Sequence, residues 1–496
     1  MDWNLVTPEL IVAGTGLAVL VLDLFLSEER RRSAAYLSLA GLLAALVASV
    51  RLLAAGLPDG SGAAAAGPGA GLWGGMLVAD PFALLVKLLF LGIGLAVIML
   101  SVDFVESRRI AVGEYNALVL FSVLGMMIMA GSRDLIVIYL GLETTAIASY
   151  VLAGLLRGDA RSGEAALKYF LTGALASAVI LFGMSLVFGG TGSTNLTALL
   201  APGFLGLSGA APVSGPLALA GLVLLVAGFG FKIAAVPFHF WAPDAYEGAP
   251  TPVTAFFSVG PKAAAFAVVL RVFAPVLLLG QAGGPPAVLP VLFTGLAVVT
   301  MTVGNLVALT QKNIKRMLAY SSIAHAGYMM VGLAVATPQG TAAVIYYLLA
   351  YAVTNLGVFA VVIWLNNRGT GDEISDYTGL AGRAPLAAAA MLVCLLSLIG
   401  IPPMVGFFGK FYLFMAAVEA GMAWLAVVMV VNSAVSVGYY YGIVRNMYLQ
   451  GEPAGEAVRA TPMVGTALGL TVAAVLALGF LSEPLSHLAR LAGGGL

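Results

Sequence analysis

Lys232 and Lys410 are positive charges set inside long apolar runs, LVLLVAGFGFKIAAVPFHF and SLIGIPPMVGFFGKFYLFM. A lysine near the middle of a bilayer costs roughly 2.5–3.5 kcal/mol even on lenient insertion scales, so its presence points to a use. Each lies within eight residues of a helix-breaking proline, Pro237 for the first and Pro402–Pro403 for the second. A charge beside a broken helix suggests a place where ions or protons cross a membrane. Pro237 follows its lysine, whereas Pro402–Pro403 precede theirs.

Three further charges sit in apolar stretches. Glu143 lies in DLIVIYLGLETTAIASYVLAG, ten residues after Arg133, Lys168 lies one turn into the next expected helix, and Lys262 follows Pro261. Burial disfavours the charged form of either group and a nearby opposite charge restores it. A Glu–Lys contact that is made and broken therefore lets a lysine bind and release a proton. The competing reading is a set of isolated ion pairs that hold helices together. Four lysines and a glutamate spread over five apolar stretches favour proton handling, because intramembrane charges are functional by default.

The remaining candidates carry weaker signals. His325, in RMLAYSSIAHAGYMM, suits either a proton relay or a hydrogen bond between helices. Lys87 follows Asp80 closely and is expected to snorkel to the surface. Asp23 is expected near a helix end. His239, Trp241 and Asp244 are expected to cap the short piece after the first break, and Tyr439, Tyr440 and Tyr441 to serve in packing. Three scattered histidines give no metal-ligand spacing.

The elements that must position these groups are membrane helices. The chain has 496 residues, 61% hydrophobic and 9% charged, against about 25% charged in a soluble domain. Apolar stretches of about 20 residues recur throughout, which defines an all-α polytopic membrane protein. Cys394 is the one cysteine, so a disulfide framework and an iron–sulfur site are excluded. The opening MDWNLVTPEL has no basic residue before the first apolar stretch, so a retained first helix is expected rather than a cleaved signal.

About fourteen spans are expected, the seventh (217–247) and twelfth (385–421) broken, the last near 463–485. In that layout fourteen of the 23 Lys and Arg residues, Lys315 among them, fall in loops on one side, four, Arg271 among them, on the other and five within spans. The side rich in positive charge is then cytoplasmic and both termini lie outside. The Gly/Ala-rich segment 56–75 contains a formal GxGxxG, Gly69 to Gly74, but no strand precedes it and it reads as loop. Asn195-Leu196-Thr197 is a glycosylation sequon without meaning in a bacterial membrane.

Two parts of the chain repeat at an offset of 177 or 178 residues. Ala165–Leu171 matches Ala342–Leu348, Tyr150 matches Tyr328, and Gly228-Phe229 with Lys232 matches Gly406-Phe407 with Lys410. Five spans separate the copies, so they point in opposite directions across the membrane, as in transporters built from inverted repeats. The expected organisation is three N-terminal helices (1–113), a first unit with a broken helix (114–278), a second such unit (279–450) and a C-terminal helix (451–496).

FKIAAVPFHFWAPDAYEGAPTPVTAFFSVGPKAAAF, LGLETTAIASYVLAG, QKNIKRMLAYSSIAHAGYMM and GIPPMVGFFGKFYLF resemble the antiporter-like membrane subunits of respiratory complex I. The resemblance runs in order over nearly the whole chain. It implies fourteen helices with two inverted five-helix units and broken seventh and twelfth helices. It implies that Glu143 modulates Lys232, that Lys168 and Lys262 link this pair to a central axis, and that Lys410 faces the exit. One branch of the family has glutamate at the position of Lys410, and lysine here fits the other two. The long C-terminal lateral helix of one of those branches is not expected. The family implies no redox chemistry on this chain, with NADH, FMN, iron–sulfur clusters and quinone on partner subunits. Its partners are other membrane subunits and the bilayer of a bacterial inner membrane, not nucleic acid. The implied function is proton translocation coupled to quinone reduction by NADH. A subunit of a cation/proton antiporter or of a membrane-bound hydrogenase is the alternative, and a passive membrane scaffold a third reading.

Overall fold

A computed structural model describes residues 3–27, 30–56, 72–200, 214–281, 288–451 and 460–496. Most of the Gly/Ala-rich segment with its GxGxxG, and Arg459, lie outside the described residues. The first six helices are α1 (Thr7–Asp23), α2 (Arg32–Gly56), α3 (Pro81–Ser107), α4 (Val112–Gly131), α5 (Leu135–Ala153) and α6 (Ala160–Thr191). They are followed by α7 (Ser214–Lys232), the short α8 (Trp241–Gly248), α9 (Thr251–Gln281), α10 (Val288–Ala308), α11 (Ile314–Ala334) and α12 (Pro338–Asn366). The last are α13 (Leu380–Arg383), α14 (Pro385–Ile399), α15 (Val405–Glu419), α16 (Ala423–Leu449), α17 (Pro462–Phe480) and α18 (Ser482–Gly493). Among the described residues, eleven helices are long and apolar enough to cross a membrane.

Local chemistry sets where the helices begin. Asp80, Asp134, Asp159, Asn313 and Thr337 each accept from a backbone N–H of the first turn of α3, α5, α6, α11 and α12. Helices α3, α12, α14 and α17 carry proline in the first turn, where its missing N–H has no intrahelical partner to lose. The bundle is organised around α9 and α12, which are buried along most of their length, while α2 faces largely outward. Helix α12 packs against α9, α11, α14, α15, α17 and α18. Helices α4 and α5 approach closely at Gly125 and Gly141, where an added Cβ would lie 2.5 and 2.8 Å from the opposite backbone carbonyl.

The two expected breaks are present. Helix α7 ends at Lys232 and α8 begins at Trp241, and α14 ends at Ile399 and α15 begins at Val405. Each break contains a cis X–Pro bond, Val236–Pro237 and Pro402–Pro403. The expected final span is α17, and the amphipathic α18 follows it. Leu485, Ser486, Ala489 and Ala492 of α18 are buried while Glu483 and Arg490 remain exposed.

Three charges are placed otherwise than their local sequence suggests. Lys87 does not snorkel: it is 2% exposed and its Nζ lies 2.6 Å from Oε1 of Glu9, in the first turn of α1. The ion pair supplies inside the bundle the partner that snorkelling would have sought in water. Arg271, counted among loop charges, lies in α9 and grips Asp80 with both terminal nitrogens while donating to the Ala130 carbonyl. Lys315, likewise counted in a loop, is buried in the first turn of α11 and donates to the Ala249 carbonyl at 3.0 Å.

Candidate functional site

Lys232 is the last residue of α7, where the unpaired carbonyls of a helix end favour a cation. Its Nζ donates to the Tyr150 hydroxyl at 3.3 Å. The break beside it is held from two directions. Trp241 Nε1 donates to the Phe231 carbonyl at 2.8 Å, and Val236 N–H donates to Thr300 Oγ1 at 3.0 Å. Trp241 thus ties the two half-helices together. The His239 side chain supplies no cap, and Asp244 is engaged elsewhere.

Glu143 is not ion-paired with Lys232 in this conformation. Among the described residues, no carboxylate oxygen lies within 4.0 Å of that ammonium. Glu143 and Tyr150 share α5 at a separation of seven residues, hence one face. The Glu143 Oε1 atom is buried and, among the described residues, lacks a hydrogen-bond partner. Leu140 and Ile147, one turn to either side, are exposed. The carboxylate therefore sits at the margin between the bundle interior and its outward face.

Lys262 follows Pro261 within α9 and is 2% exposed. It donates to the Ser322 carbonyl at 2.8 Å and to the Ser322 hydroxyl. Tyr246 Oη lies 3.4 Å from the same hydroxyl. A cavity of about 20 Å³, lined by Thr145, Tyr169, Lys232 and Pro261 among others, lies beside the α7 break. That is room for about one water molecule.

His325, on α11, is 1% exposed and is held at both ring nitrogens. Nδ1 lies 2.6 Å from Tyr347 Oη and Nε2 3.1 Å from Tyr440 Oη, which in turn lies 2.5 Å from Ser321 Oγ. Tyr439 donates to Asn305 Oδ1 at 3.0 Å, and Asn305 Nδ2 donates to Tyr328 Oη at 2.8 Å. Tyr439 and Tyr440 are buried, as packing residues are, and their hydroxyls are also hydrogen-bonded, Tyr440 in the His325 chain and Tyr439 to Asn305. Tyr441 is 51% exposed. In a helix as uniformly apolar as α16 the sequence does not mark which tyrosines turn inward.

Lys410 is 7% exposed in the second turn of α15. It donates to the Ile399 carbonyl at 2.9 Å and to Ser433 Oγ at 2.8 Å. Its Nζ also stands 4.9 Å from the Tyr328 ring centroid. Tyr328 meets His325 edge to face at 5.5 Å, so one ring touches both Lys410 and His325. Gly400 ends α14 in the left-handed region at φ 94°, and a Cβ there would lie 3.1 Å from the Lys410 side chain.

Lys168 stands apart from this interior set. Its side chain is 45% exposed and ion-paired with Glu164 at 2.7 Å and Asp244 at 2.8 Å. Asp244 also receives Arg316, which bonds Glu247. This surface network fastens α6 to α8 and α11. Among the described residues, no three His, Cys, Asp or Glu side chains gather where a metal could be held.

Broken helices that bring unpaired lysines to the interior of a helical bundle define an antiporter-like membrane subunit. Residues 132–436 match the family described as NADH:quinone oxidoreductase/Mrp antiporter, TM. The chain is 50% identical over 488 residues to NADH-quinone oxidoreductase subunit N 2 of Symbiobacterium thermophilum, covering 97% of this chain and 94% of the relative. It is 43% identical over 488 residues to NADH-quinone oxidoreductase subunit N of Moorella thermoacetica, covering 98% and 97%. A chain of respiratory complex I from Thermus thermophilus with bound aureothin superposes with a TM-score of 0.78 at 35% identity, covering 98% and 100%. A chain of the Mrp complex from Dietzia shares the fold at 22% identity, with a TM-score of 0.84 and 100% and 98% covered. The chain belongs to the NADH-quinone oxidoreductase subunit N family.

Proposed function

We propose that this chain is the subunit of a membrane-bound NADH–quinone oxidoreductase that carries protons across the bilayer while electrons pass from NADH to quinone on partner subunits. The observation that carries the reading is the state of Lys232, Lys262 and Lys410. All three meet neutral oxygens and, among the described residues, none meets a carboxylate within 4.0 Å. A structural lysine is fixed by a carboxylate, as Lys87 is by Glu9. A lysine solvated by hydroxyls and carbonyls can give up its proton without leaving a buried anion behind.

The protons would pass along Lys232, Lys262, His325 and Lys410, with Glu143 biasing Lys232 from α5 and Lys168 with Asp244 forming the rim on the same side as Arg316. Tyrosine and serine hydroxyls fill the gaps between these groups, and the cavity beside Lys232 accepts a water. The bundle is read as fourteen spans, counting α7 with α8, and α14 with α15, as single broken spans and including α11. It is further read as two inverted units, 114–278 and 279–450, between the N-terminal helices and the C-terminal helix. Lys232 against Tyr150 and Lys410 against Tyr328 are then the same pair in two copies, at the same sequence separation. The orientation places both termini outside a bacterial inner membrane, and NADH, FMN, iron–sulfur clusters and quinone belong to neighbouring subunits.

Purification of the native assembly through a tag on this chain tests the assignment. NADH-dehydrogenase and complex I membrane subunits should copurify. Recovery with antiporter subunits alone, and no NADH-oxidising activity, would place the chain in a different machine.

A further inference from the structure

A second cavity lies away from the lysines, between α12, α15 and α18. It measures about 160 Å³ and is lined by Gln339, Tyr346, Tyr412, Glu419, Ser486 and Arg490 with four small or apolar neighbours. Gln339 is in the first turn of α12, Glu419 closes α15, and α18 follows the apolar α17 directly. The cavity is therefore at a membrane surface, under an amphipathic helix of the kind that lies in the headgroup layer.

Its lining has two chemically distinct ends. Tyr346 and Tyr412 meet edge to face at 5.0 Å. The Tyr346 hydroxyl is buried and, among the described residues, has no hydrogen-bond partner. Glu419 is exposed and has no ion-pair partner among the described residues. A carboxylate, two aromatic rings and a hydroxyl with free lone pairs make a site for an ammonium group. At the other end Arg490 uses one terminal nitrogen on Glu483 and Ser486, at 2.7 and 3.2 Å. The rest of its donor fork remains for a phosphate. The volume is well below the roughly 300–1,000 Å³ of drug-sized sites, which suits a headgroup and not a nucleotide. Beside the cavity, Phe411 and Val418 of α15 and Leu491 of α18 expose apolar surface on which acyl chains can lie.

We infer that this cavity seats the headgroup of an aminophospholipid, its ammonium on Glu419 and Tyr346 and its phosphodiester on Arg490. A bound lipid would clamp α18 to α12 and α15, beside the end of the helix that carries Lys410.

The test uses the intact complex and a phosphatidylethanolamine bearing a photoreactive group high on one acyl chain, with labelled peptides mapped by mass spectrometry. Labelling should concentrate on the α15 and α18 peptides around Val418 and Leu491. Unlabelled phosphatidylethanolamine should compete, and phosphatidylglycerol, which lacks the ammonium, should not. Glu419→Gln and, separately, Arg490→Gln should each weaken this labelling about tenfold, the effect of one charge-assisted contact. Labelling of the outward face of α6 should stay unchanged and serves as the control for folding. Equal competition by phosphatidylglycerol, or labelling indifferent to both substitutions, would overturn the site. Glycerophosphoethanolamine competing as well as the lipid would overturn the lipid assignment in favour of a soluble amine.

Discussion

The Lys410 ammonium lies 2.9 Å from the carbonyl oxygen of Ile399, the last residue of α14. Lys232 is itself the last residue of α7. Both lysines therefore sit at the carbonyl end of the half-helix that precedes a break, although one comes before its proline and the other after. The negative end of the helix dipole, worth about 0.3–1 kcal/mol at the surface and more when buried, stabilises each ammonium. The asymmetry in the sequence disappears in space because the α15 lysine reaches back across the break.

Ser433 is the second partner of Lys410, at 2.8 Å. Ser433→Ala removes one hydrogen bond to a charged group, worth about 1.5–3 kcal/mol. NADH-driven proton pumping in inverted vesicles should fall by about tenfold or more, with the complex assembled. Pumping at the normal rate would show that this contact does not set the charge state of Lys410.

Tyr440 touches both His325 Nε2 and Ser321 Oγ, whereas Tyr441 is exposed. Tyr440→Phe should therefore slow pumping more than Tyr441→Phe. Equal rates in the two variants would remove the hydroxyl chain from the path.

Glu9 and Lys87 form a pair that no proton route is asked to cross. Lys87→Met leaves the Glu9 carboxylate buried without a counter-charge, which costs about 3–5 kcal/mol. The yield and thermal stability of the assembled complex should drop, and Glu9→Gln in the same chain should recover most of the loss. A single variant as stable as the parent would mean that the pair is not closed off from water.

Asp80, in the turn before α3, is held below the usual carboxylate range. Burial opposes its charge, but the facing Arg271, with help from the Ala83 N–H and Arg133, outweighs that penalty. A folded-state pKa below the unfolded one gives stability that is full above the ordinary value of about 3.9 and is lost as pH falls from there through the folded value. Asp80→Asn should lower the thermal stability of the complex at neutral pH, and the gap from the parent should narrow in acid. A gap independent of pH would assign Asp80 a purely steric role.

The broken helices and their lysines were legible because a proline and a charge in an apolar run are local and costly features. Lys232, Lys410, Lys262 and His325 all occupy interior positions. Their partners were not legible. Glu9 and Lys87 meet through the folding of separate helices, and nothing near either residue announces the other. Helices such as α9, α12 and α16 are apolar on every side, so periodicity does not reveal which face turns inward. That is why the sequence did not show that Arg271 in α9 and Tyr440 in α16 turn inward. Lys168, read as part of the interior axis, is exposed because α6 turns that face outward toward Asp244.

Lys232→Ala offers the most direct test of the central claim. In inverted vesicles containing the assembled complex, NADH-driven proton pumping should be lost or greatly reduced while the subunit composition stays normal. Normal assembly together with undiminished pumping would contradict a proton path through Lys232.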